Sequence, residues 1–104
     1  MAHRLAFRPA ARADLAEIHA WVAARAGPDV ALDYVLRIHE ACHSLCDFPS
    51  RGSPRDDLAP GLRTVSFERR AVIAYLVEPS AVRIVRILHH GREVRRAFGY
   101  GFGS

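Results

Sequence analysis

The chain has 104 residues and a formal net charge of +4, with half its residues hydrophobic and a quarter charged. That length holds one domain around a single core, and the balance excludes a disordered chain. No apolar run reaches the roughly 20 residues of a membrane span, and the start, MAHRLAFRPA, lacks the apolar stretch of a secretory signal, so a cytoplasmic protein with no membrane partner is expected.

The charge is unevenly placed. All fifteen basic residues are arginine; residues 1–61 hold seven of them against eight acids, for −1, and residues 62–104 hold eight against three, for +5. A coding bias accounts for missing lysines but not for this asymmetry, which suits an acidic protein segment or a nucleic acid backbone as partner. Two cysteines do not make a disulfide framework.

In chain order, HRLAFR alternates with Leu5 and Phe7 on one face and predicts a short strand. Pro9 suits the first turn of a helix in which Leu15, Ile18 and Val22 recur at helical spacing. Asp14 and Glu17 lie early in it, where acids favour the helix dipole. Gly27 and Pro28 form a stop signal, and Asp29 begins a second helix with apolar positions Ala31, Tyr34, Val35, Ile38, Cys42 and Leu45. Asp33 and Arg37 are spaced to pair on its polar side. Phe48 and Pro49 end it, and the short break between the helices predicts an antiparallel hairpin.

Residues 49–61, PSRGSPRDDLAPG, read as an irregular loop. The period then changes to two, with strands expected at Leu62–Phe67, Ala71–Val77 and Ala81–His89, joined by ERR and EPS turns. Both faces of the last strand are mostly apolar, as in a central strand. Strict alternation puts Val85 and Ile87 with Arg83, and Val82, Ile84 and Leu88 with Arg86. The expected fold is a small α+β domain, β-α-α-β-β-β, with the helical hairpin on one face of an antiparallel sheet. The domain is placed at residues 3–96, followed by a flexible tail at 97–104.

His39, Cys42, His43 and Cys46 are all zinc-ligand types, yet one straight helix cannot wrap four side chains around a tetrahedral ion. No metal and no cofactor are assigned. His89 and His90 point oppositely at the strand end, so one of them can face a groove as general acid or base. Trp21 lies at the edge of the first helical stripe, as core or as a partner-facing anchor.

With the order of elements, the stretches FRPAARADLAEIHAWVA, FPSRGSPRDDLAPGLR and VIAYLVEPSAVRIVRILHHGRE together resemble the RelE/ParE family, the toxin halves of bacterial type II toxin–antitoxin modules, also known as plasmid stabilisation proteins. The resemblance covers residues 3 to about 96. A RelE-like member cuts ribosome-bound mRNA without metal, a reaction in which Arg63 and Arg86 could serve as phosphate clamps and His89 or His90 as base or acid. A ParE-like member poisons DNA gyrase by binding and has no nuclease constellation. The absence of lysine and the HHGRE ending favour the ParE-like branch, which implies Arg86, His89, His90 and Arg92 near the toxic surface. A non-toxic, complex-forming member is a further alternative. The resemblance also implies a cognate antitoxin, of the ribbon-helix-helix type, whose acidic C-terminal segment forms a hetero-oligomer with this chain. The contacts expected for it are Trp21, Arg63, Arg69 and Arg70.

Overall fold

A computed structural model describes residues 3–89. Alternation in the first residues gives strand β1 (Arg4–Phe7), and Pro9 opens helix α1 (Pro9–Ala26) with its fixed φ. A single residue, Gly27, separates α1 from α2 (Pro28–Asp47); its φ of +96° lies in the left-handed region that only glycine adopts without strain. The two helices pack on each other as a hairpin.

After a 3₁₀ turn at Pro49–Arg51, the chain makes a two-residue strand β2 (Ser53–Pro54), then β3 (Arg63–Phe67), β4 (Ala71–Val77) and β5 (Ala81–His89). The loop expected at 49–61 therefore contributes a short edge strand, and β3 starts one residue later than the pattern suggests. The sheet order is β1-β5-β4-β3-β2, antiparallel except for the β1–β5 pair, so the last strand is central as expected. The ERR turn carries positive φ at both Glu68 (50°) and Arg69 (59°), the backbone of a hairpin turn that follows the twist of the strands.

The face assignment of β5 needs correction. Ala74 pairs with Arg86 and Tyr75 with Ile84, which leaves Val85 as the extra residue of a β-bulge. Alternation restarts there. Val82, Ile84 and Ile87 meet Ile18, Tyr34, Ile38, Cys42 and Leu45 in the core between helices and sheet, whereas Val85 and Leu88 face the opposite side. On that second face Leu58, Ala59 and Leu62 of the long loop cover Ala74, Val85 and Leu88.

The two arginines of this central strand each hold a carboxylate. Arg83 Nε and Nη2 donate to Glu78 across the EPS turn, at 2.8 and 3.0 Å. Arg86 Nε and Nη2 donate to Asp14 of α1, at 2.7 and 3.0 Å, and the same carboxylate accepts the N–H of Ile87 at 2.9 Å. β1 stops opposite Ile84, so beyond that point Asp14 takes an amide that no strand reaches. This corrects the helix-dipole reading: the first turn of α1 holds no acid, and Asp14, 6% exposed, faces the sheet.

Candidate functional site: an aromatic and cationic groove

A concavity of about 600 Å³ opens where the turn end of the helical hairpin meets the β3–β4 turn and the end of β5. α1 contributes Trp21 and Arg25, α2 contributes Tyr34 and Arg37, the β3–β4 turn contributes Glu68 and Arg70, and β5 contributes His89. Helical spacing aligns these pairs: Trp21 and Arg25 are one turn apart, and so are Tyr34 and Arg37. The sheet register then brings His89, opposite Ala71, beside the turn that carries Arg70.

The aromatic rings form a connected patch. His89 lies 5.6 Å from Trp21 in an edge arrangement and 5.5 Å from Tyr34, which in turn lies 5.8 Å from Phe67. His89 Nε2 and the Tyr34 hydroxyl are 3.1 Å apart and share a hydrogen bond, with the tautomer setting which of them donates. Burial raises the Tyr34 hydroxyl above its ordinary pKa, and the Glu68 charge raises it further, against the opposing pull of Arg70 and Arg37. The hydroxyl is therefore held protonated.

Cations ring this patch. The Arg25 guanidinium stacks 3.8 Å over Trp21 and donates to the Trp21 carbonyl at 3.3 Å. Arg37 donates to Glu68 at 2.7 Å and pairs with Asp33 at 3.2 Å, as its spacing on α2 predicts. Arg70 is exposed at the rim. Trp21 is 37% exposed, so an apolar side chain can reach the ring while an anionic one meets the arginines around it.

The predicted site residues are thus partly gathered. Trp21, Arg70 and His89 share the groove, and Arg69 projects from the adjoining turn. Arg86 is half-buried against Asp14, whose hydrogen bond holds the guanidinium above its ordinary pKa. Arg63 lies elsewhere: it pairs with Tyr75 while His89 pairs with Ala71, and those partners are four residue steps apart on β4, about 13 Å along the ladder. Arg63 Nη2 donates to the Ser50 carbonyl at 3.0 Å, and its Nε is buried without a hydrogen-bond partner among the described residues. His90 and Arg92 lie outside the described residues. Arg25, Tyr34, Arg37 and Glu68 were not foreseen as site residues, although the one-turn spacings of Trp21 with Arg25 and of Tyr34 with Arg37 were visible signals.

Residues 5–94 match the family model of the ParE toxin of type II toxin–antitoxin systems, parDE. The chain belongs to this ParE toxin family. A chain of the chromosomal ParDE toxin–antitoxin system of P. aeruginosa superposes with a TM-score of 0.74 and 30% sequence identity, covering 84% of this chain and 95% of that one. A chain of the RelBE2 toxin–antitoxin complex of Mycobacterium tuberculosis matches at a TM-score of 0.62 and 22% identity, covering 86% and 100% respectively, and is alike in fold. No curated protein sequence matches at comparable significance. Within the ParE fold described here, no helix of the described residues is long and apolar enough to cross a membrane.

Proposed function

We propose that this ParE-family toxin acts in the cytoplasm by binding and poisoning DNA gyrase. A cognate antitoxin of the ribbon-helix-helix type neutralises it by laying an acidic, amphipathic C-terminal segment into the Trp21–Arg70–His89 groove. The aromatic patch around Trp21, Tyr34 and His89, ringed by Arg25, Arg37 and Arg70, carries this reading. The two arginines that the ribonuclease reading names as phosphate clamps do not join His89 in the groove, since Arg63 sits at the far end of the ladder and Arg86 is engaged by Asp14. A binding poison needs only a complementary surface, and an aromatic patch ringed by arginines supplies one for an acidic chain. The described part of the toxic surface is then His89 and its surroundings, with His90 and Arg92 of the HHGRE stretch assigned to it from sequence.

The hydrogen bond between His89 and Tyr34 favours one alternative, a RelE-like endonuclease using that pair for proton transfer. Purified toxin tested for gyrase-dependent DNA cleavage and for cutting mRNA on programmed ribosomes separates the two. Cleavage complexes with gyrase and intact mRNA are expected. Ribosome-dependent cutting that disappears in His89→Ala, with gyrase unaffected, would overturn the gyrase reading.

A further inference from the structure

We propose that His39 and His43 form a two-ligand surface site for a borderline divalent transition-metal ion, of the class of Zn²⁺, Ni²⁺ and Cu²⁺. Four donors on one helix cannot surround an ion, but two imidazoles one turn apart can grip it from one side. The His39 and His43 ring centres are 5.0 Å apart and the rings are tilted by 54°. With a metal–nitrogen bond of about 2.1 Å and the ring centre about 1.1 Å behind the ligating nitrogen, two imidazoles at right-angled to tetrahedral positions have centres about 4.5–5.2 Å apart. The observed spacing falls inside that window without moving the helix.

The two ligands are held unequally. His39 is half-buried and stacks on Phe7 of β1, 5.4 Å between centres and 20° between planes, so its ring plane is set before any ion arrives. His43 is exposed and free to rotate onto an ion that His39 already holds. The cysteines of the same arc do not compete for it. Cys42 and Cys46 are both buried in the core between helices and sheet, so neither reaches an ion held at the surface. Asp47 lies one turn beyond His43 and Glu40 follows His39, which favours a cation, whereas Arg12 lies beside His39 and opposes one. No group of three or more metal-binding side chains occurs among the described residues. The ion therefore keeps open positions for water or for a group from another molecule, which makes the site exchangeable rather than structural. Imidazole donors select Cu²⁺, Ni²⁺ and Zn²⁺ over Mg²⁺ and Ca²⁺.

The full chain is titrated with Ni²⁺ alone by calorimetry, and with Cu²⁺ while histidine ring signals are followed by NMR. Binding of an ion with selective broadening of His39 and His43 is expected. His43→Ala, which removes an exposed side chain, should weaken binding by at least about tenfold, because the second imidazole binds intramolecularly. Ni²⁺ should raise the melting temperature of the parent more than that of His43→Ala. His19→Ala is the matched control on α1 and should leave affinity unchanged. Affinity of His43→Ala within about twofold of the parent, or broadening centred on another histidine, would overturn the assignment.

Discussion

Asp14 and Arg86, 72 positions apart in sequence, form a bidentate ion pair in which the carboxylate is 6% exposed and also caps the Ile87 amide. One side chain thus ties the first helix to the central strand. Removing one partner of such a pair leaves a buried charge or an orphaned amide, so Asp14→Ala and Arg86→Ala should each destabilise the fold by about 3–5 kcal/mol in urea unfolding. The comparison also guards the functional test. If Arg86→Ala abolishes toxicity because the fold fails, Asp14→Ala, which leaves the arginine in place, should abolish it too; full toxicity in Asp14→Ala alone would put Arg86 on the toxic surface.

At the β3–β4 turn, Arg69 has a φ of 59° and an exposed side chain. A left-handed non-glycine residue costs about 1–2 kcal/mol, part of which glycine returns as extra unfolded-state entropy. Arg69→Gly should therefore stabilise the protein by about 0.5–1 kcal/mol in thermal or urea unfolding. A lower melting temperature would contradict the turn geometry.

Gly52 offers the opposite case. Its N–H donates to the Tyr75 hydroxyl at 2.8 Å, and that hydroxyl donates to the Pro49 carbonyl at 2.8 Å. A Cβ at this position would lie 2.5 Å from the hydroxyl and 2.8 Å from the Thr64 backbone oxygen. Gly52→Ala should consequently be severely destabilising, and Tyr75→Phe, which orphans the Gly52 amide, should cost about 1–3 kcal/mol.

Much of this framework is legible without coordinates. The stripe from Ala31 to Leu45 sets α2, the Gly27–Pro28 pair sets the break, and period-two runs set β3 to β5. What escapes has a common cause, namely contact between distant segments. Strict alternation assigned Ile87 to the wrong face because a bulge at Val85 depends on how β4 and β5 pair, which no single strand encodes. Asp14 read as a helix-dipole acid because its partner lies in the last strand. Of the groove, Trp21, Arg70 and His89 are each singled out, but that three elements bring them together follows from the sheet register and the packing of α1 on β5.

Both thiols should be silent in the native protein. Burial raises Cys42 from the ordinary 9.0 to about 12, and burial with the neighbouring Asp47 charge raises Cys46 as well. Ellman's reagent at pH 8 should find no fast thiol until denaturant is added, and then two. Since the folded values lie above the unfolded one, the unfolded chain loses its thiol protons first. This contribution to stability is therefore intact below about pH 9 and declines as pH rises from there toward about 12.

For the groove, Trp21→Ala should weaken binding of an acidic antitoxin segment by about 2–4 kcal/mol in calorimetry, the loss expected of a central aromatic anchor. Arg70→Glu should act mainly on the association rate and flatten its salt dependence, because the exposed rim charge steers the encounter. Equal affinity for parent and both variants would place the antitoxin elsewhere.

The parallel partnership of β1 with β5 bears on the order of events during synthesis. Arg4 to Phe7 find their sheet neighbours at Ala81 to Ile84, a separation that spans nearly all of the described chain. A nascent chain can form the α1–α2 hairpin early, yet the first strand stays unpaired until the last one has left the ribosome. Nor can Asp14 meet Arg86 before that moment. The decisive closure is hence a late, long-range step.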